Sequence, residues 1–165
     1  VARERILEFY ALRNETPLLN VRLNYAVEMR YGVLVDIAQD IAAGRPVDVT
    51  MGCFNVLWQG DVNAAFLRLI EQAACPPAAI NLTGPEKLSI REVAQRMGEL
   101  MGREVAFTGT EADTALLSDA SKVFGMLGRP AVGADTVIPW VARWIASGGE
   151  TLGKPTHFQE RDGKY

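Results

Sequence analysis

The sequence is poor in the residues from which compact chemical sites are most often built. It holds one histidine and two cysteines in 165 residues, and one imidazole cannot assemble a metal site without partners at ligand spacing. No such spacing is present, and no serine or cysteine stands in a triad-like context beside His157, so this residue is expected to be solvated. Cys53 and Cys75 could pair, but two isolated cysteines are expected to be buried, unpaired thiols of an intracellular, cytoplasmic protein. Positive charge is not in excess either. Seventeen Lys and Arg stand against 20 Asp and Glu, a net charge of −3, so the basic footprint of a nucleic-acid partner is missing. No apolar run approaches the roughly 18 residues that a membrane-spanning helix needs. The glycine-rich phosphate loops GxGxxG and GxxxxGK[ST] are absent as well. Neither an internal repeat nor a low-complexity linker divides the chain. What is left is the composition of an ordinary globular domain with room for a real core.

One stretch of this chain is explicit about structure: Ala78 to Gly102, AAINLTGPEKLSIREVAQRMGELMG. Ala79–Thr83 is a short apolar run bounded by Pro77 and Gly84-Pro85, the pattern of a buried strand. Ser89 stands three residues before Glu92, which forms a capping box at a helix start. Val93, Met97, Leu100 and Met101 then recur at helical spacing, and Gly102 supplies the left-handed residue that ends the helix. A strand, a turn and an amphipathic helix in succession predict an α/β fold.

The rest of the chain fits around this unit. Val1 to Leu12 has a helical pattern with Ile6, Phe9 and Tyr10 on one side and no capping signal before it, as expected of a chain that continues upstream. Thr16-Pro17 breaks it, and Leu18–Leu23 follows as a strand buried on both faces apart from Arg22. Its exit, Asn24-Tyr25 and the loop through Arg30, is the first candidate site, because ligands of open α/β sheets sit beyond the carboxyl ends of strands. A plain Asn-capped turn is the alternative. Val33–Ala43 reads as a helix ended by Gly44, Pro46–Val49 as an edge strand, and Phe54–Trp58 as a second strand. Asp61 is expected to cap a helix over Val62–Ala74, stopped by Pro76-Pro77. Glu104–Thr108 reads as a strand, Ser118 or Asp119 as the cap of a short helix through Leu127, and Asp135–Ala146 as the last helix. There Val137, Val141, Trp144 and Ile145 point inward, with Trp140 one turn from Trp144 as a core pair. The tail from Gly148 has no period and reads as a surface strap or a partly mobile end.

The order of these pieces resembles the C-terminal half of the extended short-chain dehydrogenase/reductases, the NAD-dependent epimerase/dehydratase family. The resemblance is carried by VARERILEFY, NVRLNY, NVLWQGDVNAAFLRLIE and INLTGPEKLSIREVAQRMGELMG, and by SDASKVFGMLGRP followed by TVIPWVARWI. It implies the last sheet strands and helices of a Rossmann-type enzyme over residues 1–147, with a small substrate-binding region, and a tail over 148–165. It further implies NAD or NADP in the full-length protein. Family members use a tyrosine as acid/base, with a lysine four positions on that favours its phenolate. That lysine would fall just before Val1, so no catalytic residue is expected in this chain, no cofactor bound by it alone and no turnover. The resemblance assigns Asn24, Tyr25, Met29, Arg30 and Trp58 to a small-molecule substrate, and Leu23 and Asn24 to the cofactor. It also implies a homodimer through the first helix, with Ile6, Phe9 and Tyr10 as anchors. Two positions depart from the sugar-nucleotide members. Where those carry diphosphate-clamping arginines, this sequence has Phe54 and Thr108-Gly109, which argues against a nucleotide sugar. The loop Asn24–Glu28 also lacks the family's Gly-Pro. A binding or regulatory module that borrows the fold is the second reading.

Overall fold

The structure is a computed structural model and describes residues 2–160. Val1, where the sequence pattern starts the first helix, and residues 161–165 of the tail lie outside the described residues. The chain is α/β, as its pattern predicts. Helix α1 (Ala2–Arg13) leads into strand β1 (Leu19–Leu23), which pairs in parallel with β6 (Ala78–Leu82) from Leu19 opposite Ala78 to Leu23 opposite Leu82. Between them lie β2 (Ala26–Val27), α2 (Val33–Ala42), β3 (Val47–Asp48), β4 (Cys53–Phe54), β5 (Leu57–Trp58) and α3 (Gln59–Leu69), with a 3₁₀ turn over Ile70–Gln72. After β6 come β7 (Leu88–Ser89), α4 (Ile90–Met101), β8 (Phe107–Thr108), α5 (Ser121–Leu127) and α6 (Ala134–Ala146). The minor strands pair as parallel β2–β5, parallel β3–β8 and antiparallel β4–β7.

Two apolar clusters hold these elements. The larger sits where α2, α4 and α6 pack on one another. Helix α2 buries Val33, Leu34, Val35, Ile37, Ala38 and Ile41 and gathers Asp36, Gln39 and Asp40 on its other side, so a wide apolar face packs into the core. Helix α4 begins as its sequence dictates. The Ser89 hydroxyl accepts the Glu92 amide at 3.3 Å, and Gly102 closes it at φ 63°. It buries Val93 and Met97, while Leu100 is exposed. The smaller cluster joins β6 (Ile80, Leu82) to Leu57, Val62 and Leu69 and to Val123 of α5.

Several expectations change in the folded chain. The run Phe54–Trp58 is split, because β4 pairs with β7 while β5 turns to β2. Asp61 is in the first turn of α3 rather than at its cap, since the helix already starts at Gln59. Of Glu104–Thr108 only Phe107–Thr108 pairs as strand. Trp140 stacks edge-on against Trp58, 5.6 Å between ring centroids, and Trp144 instead donates its indole N–H to Glu150 O. Asp119 Oδ1 accepts the Ser121 amide and so anchors the start of α5. Neither cysteine is buried and both are free thiols. Strand β1 is not covered on both faces: Asn20 is buried, whereas Arg22 and Leu23 are exposed. The tail is strapped down, with Thr156 bonded to Asp36 and Phe158 buried in the larger cluster. His157 is exposed and pairs with Glu160 at 3.1 Å.

Candidate functional site

Strands β1 and β6 run in parallel and end side by side, so their carboxyl ends bring Leu23, Asn24, Leu82 and Thr83 together. Such strand ends are where open α/β sheets receive ligands. The backbone there is tied. Asn24 N–H donates to Leu82 O, and the Thr83 hydroxyl, wholly buried, donates to Asn24 O, both at 3.0 Å. Tyr25 then takes a left-handed φ of 44°, uncommon for a residue other than glycine, and its carbonyl accepts the Leu57 amide. This turn directs the chain away from β1 and into β2, which lies beside β5.

The side chain of Asn24 is held as firmly as its backbone. Its Nδ2 donates to Asn55 Oδ1 at 2.9 Å, and Asn55 Nδ2 donates to Ser118 O at 2.8 Å. Asn55 is only 7% exposed, so water does not compete for these bonds. Three segments far apart in sequence thus meet at one buried polar line. Asn55 and Thr83 carry no assignment in the sequence reading. The available signal is a lone amide in the apolar run Phe54–Trp58, where a buried polar group needs a partner.

The other sequence-assigned residues do not share one cavity with Asn24. Leu23, 43% exposed, ends β1 beside it. Met29 and Trp58 are half-buried against the larger cluster, with Trp58 on Trp140. Arg30 is exposed, pairs with Glu28 at 3.1 Å and offers its carbonyl to Leu152 of the tail. A cavity of about 220 Å³ lies between α3 and α5 and reaches the end of β6, lined among others by Leu57, Asp61, Arg68, Leu82, Phe124 and Leu127. Asn24 and Tyr25 do not line it.

The cofactor implied by the resemblance is a dinucleotide. Its diphosphate calls for a glycine-rich turn into a helix N-terminus. Strand β5 does run straight into α3, but Asp61 stands in that first turn and its carboxylate already takes the Val132 amide at 2.9 Å. An anion there meets a like charge. Among the described residues no group of His, Cys, Asp and Glu could hold a metal ion, and no helix is long and apolar enough to cross a membrane.

No protein-family model matches the sequence, and no curated protein matches it. Solved structures do. A UDP-glucuronic acid 4-epimerase from Bacillus cereus, in complex with NAD, superposes with a TM-score of 0.73 at 14% identity, over 87% of this chain and 49% of that one. The chain shares the fold of about half of that structure. A Thermus thermophilus UDP-glucose 4-epimerase complexed with NAD gives 0.69 at 19% identity, over 86% and 50% of the two chains. RMD from Pseudomonas aeruginosa, complexed with NADPH, gives 0.67 at 17%, over 85% and 54%. The chain spans about half the length of these solved structures.

Proposed function

We propose that this chain is the substrate-side, C-terminal part of an NAD(P)-dependent epimerase- or dehydratase-like oxidoreductase, and that it receives a small molecule at the paired ends of β1 and β6. The observation that carries this reading is the fixed Asn24, held by Asn55 and Thr83 where two parallel strands end. A fixed amide suits a binding site, because it recognises a ligand without first being ordered. Asn24 would hydrogen-bond the substrate, Tyr25 would pack on it or offer its hydroxyl, and Met29, Arg30 and Trp58 would shape the surrounding wall. Leu23 and Asn24 would touch the nicotinamide end of NAD or NADP, whose diphosphate would be held outside these residues. No step of hydride or proton transfer is assigned to this chain, which lacks the Tyr-x-x-x-Lys pair.

The same reading makes the protein cytoplasmic, with residues 1–147 as the working unit and 148–165 as a C-terminal tail. It makes the chain a homodimer through α1, whose Ile6, Phe9 and Tyr10 are more than half exposed at 58%, 59% and 52%. The test is kinetic. In the full-length gene product, Asn24→Ala and Tyr25→Ala should each lower kcat/KM for the substrate found by screening hydroxylated small molecules. Unchanged kcat/KM in both variants would remove the site. A gene without the glycine loop and the Tyr-x-x-x-Lys pair upstream would favour the non-catalytic module.

A further inference from the structure

The buried line through Asn55 has a direction, and the direction has a chemical consequence at Asn24. It begins at Ser118 O, a backbone carbonyl that can only accept. Asn55 must therefore turn its Nδ2 toward Ser118, at 2.8 Å, which leaves its Oδ1 facing Asn24. Facing an acceptor, Asn24 must in turn offer its amide nitrogen, at 2.9 Å. The two amides cannot flip independently, since either flip would set oxygen against oxygen or nitrogen against nitrogen in a place that Asn55, 7% exposed, shares with little water. The backbone N–H and C=O of Asn24 are engaged with Leu82 and Thr83. No buried side-chain polar atom among the described residues lacks a partner, so the inward end of this relay is complete and Asn24 Oδ1 is the end left for a ligand.

We propose that Asn55 is a positioning residue that fixes the amide of Asn24 with its carbonyl oxygen toward the strand-end site, so that the site selects ligands presenting a hydrogen-bond donor there, a hydroxyl or an amide N–H. This rests on the reading of the strand ends as a binding site. Asn55 also pins the segment before α5, through Ser118, to the same point as the ends of β1 and β6.

The orientation is tested without any ligand by Asn24→Asp. An aspartate at this position sets a carboxylate against Asn55 Oδ1, so the ionised form is disfavoured and only the protonated acid reproduces the donor. NMR titration of the labelled carboxyl carbon introduced by Asn24→Asp should give a pKa above the ordinary value for aspartate. A lowered pKa would mean that Asn55 donates to position 24, and it would overturn the proposal. If Asn24→Asp does not fold, the wild-type chain decides. The Asn24 side-chain amide protons should show exchange protection and a cross-relaxation contact to Asn55, and their absence overturns the orientation. In the full-length protein, Asn55→Leu should raise KM for a hydroxylated substrate by about tenfold, the worth of roughly one well-made hydrogen bond, with a smaller change in kcat. Lost activity in Asn24→Ala together with an unchanged KM in Asn55→Leu refutes the role of Asn55 alone. An unchanged kcat/KM in Asn24→Ala refutes the site itself.

Discussion

The Asp61 carboxylate takes the backbone amide of Val132 at 2.9 Å across 71 residues of sequence. The carboxylate is thereby tied to the loop between α5 and α6, and α3 is fastened to the entry of α6. Removing it strands the Val132 N–H in a half-buried place, which costs about 1–3 kcal/mol. Asp61→Ala should therefore lower the urea midpoint, while Asp61→Asn, which keeps an acceptor oxygen, should lose less. Equal losses in the two variants would show that the bond to Val132 is not what Asp61 supplies.

A glycine inside a helix usually gains from a methyl group, and Gly98 and Gly125, two of the three helical glycines among the described residues, should respond in opposite ways. At Gly98 in α4 an added Cβ would collide with Val105 Cγ2 and stand 2.8 Å from Arg103 O. The second of these is backbone and cannot step aside, so Gly98→Ala should destabilise by about 1–3 kcal/mol. At Gly125 in α5 nothing lies within 4 Å, and Gly125→Ala should stabilise by roughly 0.5–1 kcal/mol. Thermal melts of the two variants decide this, and a stabilised Gly98→Ala would contradict the close packing of α4 on the Arg103–Val105 segment.

Asp36 gives the fold a particular response to acid. Burial pushes its carboxyl above 3.8, the two bonds from Thr156 pull it down, Asp40 raises it further and His157 lowers it. Since the net direction is upward, the folded chain holds this proton more tightly than the unfolded chain does. The ionised carboxylate then costs stability at neutral pH, and that cost is relieved as pH falls through the raised value toward 3.8. Wild type should gain stability relative to Asp36→Asn over that interval of acidification. Denaturant midpoints of both proteins from pH 7 down to about pH 4, just above the ordinary aspartate value, are the measurement; a wild type that loses ground to the variant on acidification would reverse the sign.

Helix α1 buries Ala11 alone and leaves Ile6, Phe9 and Tyr10 uncovered. Apolar groups grouped in this way drive association when no other part of the chain covers them. Sedimentation at high protein concentration should show a dimer that Phe9→Asp dissociates, and a monomeric wild type would end the idea.

What the sequence made legible was local. The start of α4 could be read because Ser89 and Gly102 act on neighbours within one turn, and the candidate exit of β1 could be read because strand direction is a matter of chain order. Contacts chosen by distant segments were hidden. Trp140 lies one helical turn from Trp144, which suggests that they stack, yet α6 turns Trp140 to Trp58 on β5. Asp61 looks like a cap until α3 is seen to start two residues earlier and the loop at Val132 arrives to use the carboxylate. Asn55 sits in an apolar run that announces burial, but its partners Asn24 and Ser118 are 31 and 63 residues away in the chain. At the proposed site, the sequence points to Asn24 and Tyr25 but not to the two buried residues, Asn55 and Thr83, that hold Asn24 in place.

The seating of Phe158 sets a timetable. This ring fills part of the cluster made by α2, α4 and α6, and it follows every element that forms that cluster. A ribosome delivers the helices first and the plug after them, and the exit tunnel still covers Phe158 when α6 has just emerged. The place of Phe158 in that cluster then stays open and apolar until the ring emerges. Completion of the core therefore trails the arrival of its last helix, and in that interval the nascent chain offers a sticky surface to chaperones or to its neighbours on the same message.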